Sequence, residues 1–176
     1  LKTISSRFKA GEYAIPSTAS MATIAGILVE GKSIQHKLTA AEGLTSDMIW
    51  TLVKTDPFLT GDPGPVPAEG TLLPETYLFT RGTSRAQILA RMARAQQKFL
   101  AEHWAGRAAG LPFRTKAEAV ILASVVEKES ALPDERRHIA SVFVNRLKAG
   151  MRLQSDPTII YGLTKRYALG RGIRAS

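Results

Sequence analysis

Residues 115–129 constrain this chain more than any other stretch. Thr115 and Glu118 have the spacing of a capping box, and the helix they open continues as Ala119-Val120-Ile121-Leu122-Ala123-Ser124-Val125-Val126. That run is apolar on nearly every side, so the helix is expected to be buried all round. It leads straight into Glu127-Lys128-Glu129. A fold that contains it must surround a helix and still bring two carboxylates out at its end.

Those carboxylates carry the strongest chemical signal. Residues two apart on a helix point about 200° apart, so Glu127 and Glu129 cannot share one pocket. One can react, and the other needs a cation or solvent. A carboxylate at a helix C-terminus faces the negative end of the dipole, and apolar surroundings penalise its charged form. Both effects favour the protonated acid that proton transfer near neutral pH requires. The alternative is that both glutamates solvate a helix end and pair with Arg136 or Arg137.

A second dense cluster is Asn145-Arg146 followed by Met151-Arg152-Leu153-Gln154-Ser155-Asp156-Pro157-Thr158. Amide, hydroxyl and carboxylate groups in a loop after a helix can hydrogen-bond sugar hydroxyls and N-acetyl groups. The same residues also read as turn chemistry, with Asp156 as a local cap.

The rest of the chain supplies short elements. Phe8 to Ile15 has strand-like apolar spacing. Ser20 opens a helix carrying Ile24, Ile27 and Leu28, which Gly31 ends. Ser33 to Thr39 is a second strand-like stretch, and Thr45 caps a short helix with Met48, Ile49, Leu52 and Val53 pointing inward. Pro57, Pro63, Pro65 and Pro67 make 56–70 a loop, and Pro74 argues against a central strand just after it. Ser84 with Gln87 opens a helix bearing Ile88, Met92, Ala95 and Phe99. Residues 106–114 form another break. Pro133 then starts a helix that packs through Ile139, Val142, Phe143 and Leu147 and stops at Gly150.

Composition removes several function classes. There is no cysteine, which excludes disulfide scaffolds, thiolate metal sites and cysteine nucleophiles. His36, His103 and His138 have no metal-ligand spacing, so no metal site is expected, and each reads as a surface or packing residue. The net charge of +9 favours anionic partners, yet the cations are scattered and no nucleic-acid motif accompanies them. Nucleic acid is therefore not the expected partner. Trp50 and Trp104 read first as core or helix-face aromatics, with stacking on a sugar as the alternative.

The succession Leu122-Ala123-Ser124-Val125-Val126-Glu127-Lys128-Glu129, Val142-Phe143-Val144-Asn145-Arg146-Leu147 and Gly150 to Thr158, with Tyr161-Gly162, resembles the signature of the YceG/MltG-type endolytic murein transglycosylases. Upstream, Glu42-Gly43 with Thr45, and Glu69-Gly70 with Pro74-Glu75-Thr76-Tyr77, look like earlier motifs of that family. Phe8-Lys9-Ala10-Gly11-Glu12-Tyr13 is similar to the end of its LysM-like module. Thr71, Leu73 and Glu75 depart from the family's usual aromatic, Phe and Asp at those positions.

The resemblance implies an α+β protein, with a partial LysM-like module over 1–35 and a larger catalytic domain over 36–176 to which a further segment is added beyond Ser176. It implies a lyase that cuts the bond between N-acetylmuramic acid and N-acetylglucosamine in peptidoglycan glycan strands and leaves 1,6-anhydro ends. Glu129 would be its proton-transfer residue. Asn145, Gln154, Ser155, Asp156, Thr158, Glu75 and Tyr77 would contact substrate, with Glu127 and Arg146 supporting. It further implies a single membrane anchor preceding the chain, extracytoplasmic action and cell-wall synthases as partners, with no cofactor. An aminodeoxychorismate lyase label sometimes given to such sequences would need pyridoxal phosphate, and no phosphate-cradling loop is present to hold it. A non-catalytic peptidoglycan-binding scaffold is the rival reading.

Overall fold

The computed structural model describes residues 7–130 and 132–164, so the outermost residues of both expected units lie outside the described residues. The elements are α1 (Met21–Glu30), β1 (His36–Thr39), α2 (Ser46–Thr55), β2 (Thr76–Phe79), α3 (Arg85–Trp104), α4 (Lys116–Glu129), a 3-10 turn (Pro133–Glu135), α5 (Arg136–Lys148) and α6 (Asp156–Thr164). The protein is a mixed α+β structure dominated by helix.

Local capping chemistry sets the helix starts. The Ser20 hydroxyl accepts from the Thr23 amide and that of Thr45 from the Met48 amide. Ser84 with Gln87 and Thr115 with Glu118 form complete capping boxes at α3 and α4. Each cap is worth about 1 kcal/mol. α1 ends at Gly31 in the left-handed region, with φ at 71°.

β1 and β2 form a two-stranded antiparallel ribbon in which Leu38 faces Tyr77 and His36 faces Phe79. Strand alternation turns Leu38, Tyr77 and Phe79 to one side, where Ile49 and Val53 of α2 and Ile88, Leu89 and Met92 of α3 bury them. A lone ribbon is marginal in water, so these two helices are what stabilise it. Leu52 is 41% exposed, contrary to its expected inward placement, and Phe99 is 45% exposed. Phe99 stacks on His103 one turn later.

A second, smaller core joins α4 to α5. Leu122, Val125 and Val126 share one face of α4 and close over Phe143, with Phe113, Ile139 and Leu153 packed around them. The expected all-round burial of α4 is not met. Ile121 is 64% exposed, on a side of the helix that the described residues leave uncovered.

The two cores meet where side chains are missing. Gly70 has φ at 73°, and a Cβ there would lie 2.9 Å from Val120 Cγ1. Gly43 has φ at 72°, with a Cβ position 2.6 Å from Lys128 Cε. The Gly70 carbonyl also accepts from the buried Gln96 amide at 2.9 Å. Gly70→Ala therefore combines a left-handed backbone, costing about 1–2 kcal/mol, with a clash against a stiff β-branched side chain. The melting temperature should fall by several degrees, at roughly 2–4 °C per kcal/mol for a chain of this size. An unchanged melt would mean that Val120 gives way without cost.

The stretch 8–15 does not form the expected strand, and the second expected strand is confined to His36–Thr39. Its backbone bonds go elsewhere: the Lys9 amide donates to the Leu28 carbonyl, and the Glu12 carbonyl accepts from the Ile34 amide. These bonds fasten it to α1 and to the approach to β1. Its side-chain anchor is Glu12, which accepts from Arg81 Nε at 3.0 Å and pairs with His36 Nε2 at 2.6 Å. Arg81 and then His36 hold the Glu12 carboxyl below its usual value of 4.5. A depressed carboxyl stabilises the fold above the ordinary carboxylate range and loses that contribution as pH falls through the lowered value. Glu12→Gln should thus lower the melting temperature at pH 7, and the gap from wild type should close on acidification below about 4. Thermal melts at stepped pH will show the convergence, or a constant gap that excludes it.

Candidate active site

α4 delivers its two terminal glutamates in opposite directions, and each meets a different partner. Glu127 Oε1 accepts from Arg136 Nη2 at 2.9 Å, across the short turn between α4 and α5. Glu129 Oε2 accepts from Ser155 Oγ at 2.8 Å. The ion-pair alternative thus holds for Glu127 and Arg136, while Glu129 has a neutral hydroxyl donor. The angular argument from helix geometry is met by this division.

Glu129 lines a cavity of about 200 Å³ together with His138, Ile139, Val142, Phe143, Arg146, Leu153 and Gln154. Its floor is apolar, from α5, and its polar groups are one carboxylate, one imidazole, one guanidinium and one amide. A larger hollow of about 390 Å³ lies on the 107–114 loop and contains two arginines but no carboxylate. Of the two hollows, the smaller is the one with a carboxylate, the group that acid–base chemistry would need.

Backbone geometry shapes its far wall. Arg146 Nη1 donates to the Leu153 carbonyl at 2.5 Å and approaches Gln154 Oε1 at 3.4 Å. Gln154 has φ at 53°, and it is the one described non-glycine residue with a positive φ. A left-handed residue here reverses the chain between Leu153, whose carbonyl faces Arg146, and Ser155, whose hydroxyl faces Glu129. Ser155 is completely buried. It stands just ahead of α6, where a serine hydroxyl ordinarily caps the helix, yet this one is turned to Glu129.

The other expected residues are dispersed. Asn145 and Asp156 are exposed, on α5 and at the start of α6, and neither lines the cavity. Thr158 Oγ1 donates to the Ser155 carbonyl at 2.6 Å, which supports the first turn of α6. Glu75 accepts from the Thr76 amide. Tyr77 is buried in the first core and donates to the Leu73 carbonyl at 2.9 Å, so the structure does not bring Glu75 and Tyr77 to Glu129. Burial, followed by the charge of Glu75, pushes the Tyr77 hydroxyl above its usual pKa. His138, a surface or packing residue on the sequence reading, lines the cavity beside Glu129. Its place two residues after Arg136, at the start of the helix that follows Glu129, is the signal the sequence offers. Among the described residues no group of three or more His, Cys, Asp and Glu side chains could hold a metal ion.

Comparison with known proteins identifies the family of the chain. The YceG-like family model matches residues 1–174. The chain is 37% identical over 106 residues to the endolytic murein transglycosylase of Streptococcus pneumoniae serotype 2 (strain D39 / NCTC 7466), covering 60% of this chain and 18% of that protein. It is 35% identical over 100 residues to the endolytic murein transglycosylase of Bacillus subtilis (strain 168), covering 56% of this chain and 27% of that one. Each match thus spans less than a third of the relative's length. The fold is similar to the crystal structure of a yceG-like protein from Listeria monocytogenes, with a TM-score of 0.56 and 28% identity over 95% of this chain and 65% of that one. The chain belongs to the YceG-like family.

Proposed function

We propose that this chain carries the catalytic glutamate of an endolytic lytic transglycosylase acting on peptidoglycan glycan strands. The observation that carries the reading is the separation of the two glutamates. Glu127 is held by Arg136, and Glu129 alone lines a cavity. Glycosidases that use water or a covalent intermediate need two carboxylates flanking the bond. A lyase of this kind needs one. Glu129 protonates the glycosidic oxygen between N-acetylmuramic acid and N-acetylglucosamine as the bond to the muramoyl C1 breaks. It then takes the proton of the muramoyl 6-hydroxyl as that oxygen bonds to C1, closing the 1,6-anhydro ring. Ser155 holds the carboxylate through one oxygen, and Gln154 and Arg146 supply polar contacts to the sugar. Asn145, Asp156 and Thr158 extend these contacts along the outer face of α5 and α6. Glu75 and Tyr77 are left out of this reading: neither lines the cavity, Tyr77 is buried in the first core, and Glu75 is exposed beside it.

The names of the similar proteins from Streptococcus and Bacillus support this activity. In the same reading, residues 1–35 are a LysM-like remnant and 36–176 are catalytic, with an anchor elsewhere in the protein, extracytoplasmic action and cell-wall synthases as partners. Among the described residues no helix is long and apolar enough to cross a membrane. The test is incubation of the full-length protein with uncrosslinked glycan strands, followed by mass spectrometry. Fragments short by one water with 1,6-anhydro ends support the lyase, whereas reducing ends would make it a hydrolase. The net charge of +9 favours one rival, a non-catalytic binder of the anionic wall polymer. That rival predicts glycan capture with no fragments, undiminished by Glu129→Gln.

A further inference from the structure

The larger hollow, on the loop between α3 and α4, has a lining that the chemistry at Glu129 does not use. Its volume of about 390 Å³ falls in the range of small-ligand sites, roughly 300–1,000 Å³. Arg107 and Arg114 line it, and no carboxylate does. Among the described residues no ion pair joins either guanidinium to an acid. Both arginines are anchored. Arg107 Nη1 donates to the Trp104 carbonyl at 2.8 Å, and its guanidinium lies 4.1 Å from the centre of the Trp104 ring. A guanidinium has five N–H donors, so one such bond leaves others for an anion. Arg114 is held through its backbone, because its amide donates to Glu118 Oε2 at 2.7 Å beside the capping box of α4. The same oxygen accepts from the Thr115 amide at 2.9 Å, and Glu118 stays outside the hollow. Gly110, with φ at 71°, turns the chain between the two arginines. Phe113 adds an apolar wall and packs on the second core, whose Phe143 floors the Glu129 cavity.

We propose that this hollow binds a carboxylate of the peptide stems that peptidoglycan glycan strands carry. A planar guanidinium takes a carboxylate through two parallel bonds, and the net charge of +9 draws an anionic polymer towards the chain. The inference rests on the transglycosylase reading for the polymer and on the two arginines for the group they hold. α4 separates the hollow from the reacting carboxylate, with Arg114 just ahead of its first turn and Glu129 at its last residue. A helix of 14 residues spans about 20 Å. The group held by the arginines is therefore remote from the bond being broken. A contact that far away is the same in the ground and transition states, so it lowers KM and leaves kcat alone.

The test uses the full-length protein with Glu129→Gln, so that strands stay uncut, and compares it with the same protein also carrying Arg107→Gln and Arg114→Gln. Binding to uncrosslinked, stem-bearing strands at low salt should weaken about three- to tenfold in the arginine variant, the effect of losing two exposed charge pairs. The difference should shrink as salt is raised. Strands whose stem carboxylates have been converted to methylamides, with carbodiimide and methylamine, should bind both proteins alike. Where a thermal melt shows that Arg107→Gln disturbs the Trp104 contact, Arg114→Gln alone should still give a smaller loss of the same kind. Equal binding of native strands by the two proteins, or an equal loss with methylamidated strands, would overturn the proposal. Vesicles of phosphatidylglycerol separate the other anion source: capture lost in the arginine variant, with strand binding unchanged, would assign the hollow to a lipid phosphate instead. With Glu129 restored, the arginine variant should show a KM raised by the same factor and an unchanged kcat, and a change confined to kcat would sink the idea. If the binding difference is found in a protein that yields no anhydro ends, the site stands and the transglycosylase reading fails. If anhydro ends form while strand binding ignores the arginines, the reading stands and the site fails.

Discussion

Glu129→Gln should reduce anhydro-product formation by about 10²–10⁴-fold, the range that a positioned proton-transfer group contributes. The melt should hardly change. The glutamine amide oxygen can still accept from Ser155 Oγ, which now lies 2.8 Å from the carboxylate, and the side chain keeps its volume. What it loses is the proton it must give and then recover. Glu127→Gln makes the contrast. Its carboxylate is paired with Arg136 and does not line the cavity, so that change should weaken a partly exposed ion pair by about 1 kcal/mol or less and leave turnover near wild type. Equal loss of turnover in both variants would remove the distinction on which the mechanism rests. Product analysis by mass spectrometry beside a thermal melt is sufficient.

Phe143→Ala should have the largest effect on stability. Phe143 is 4% exposed and is the α5 residue over which Leu122, Val125 and Val126 close. Truncating a buried phenylalanine costs about 3–5 kcal/mol, which would lower the melting temperature by roughly 10 °C. The ring also forms part of the floor beside Glu129, so turnover should fall along with stability. Phe143→Leu keeps most of the volume and should recover most of the stability, to within about 1.5 kcal/mol of wild type. A melt in which Phe143→Ala matches wild type would show that the second core does not support α4.

Helix starts were legible in the sequence because caps are local. Ser20, Thr45, Ser84 and Thr115 each announce themselves within four residues, and all four cap as expected. The opposed directions of Glu127 and Glu129 were equally legible, since they follow from helical pitch. Contacts between distant residues were not. Nothing near Glu127 distinguishes Arg136 from Arg137 as its partner, and nothing near Glu12 points to Arg81. α6 was hidden by composition: Thr158, Ile159, Ile160 and Gly162 are all weak helix formers, and Asp156-Pro157 reads as a turn as readily as a first helical turn. The error over Ile121 has another cause. Apolar periodicity reports which faces can be buried, and the number of partners present decides how many are. Strand-like spacing over 8–15 failed similarly, because a strand needs a neighbour and this segment finds only single backbone bonds.

The seam at Gly43 and Gly70 limits how this protein can be altered. Every replacement at a glycine adds bulk, so neither position can be tuned gradually by exchanging one side chain for a slightly different one. Adjustments have to come from the facing helix, at Val120 and Lys128, where larger and smaller alternatives exist. Variation should therefore accumulate unevenly across the seam, with one side nearly frozen and the other free to drift. Any redesign that moves the helix bearing Glu129 has to begin on that second side.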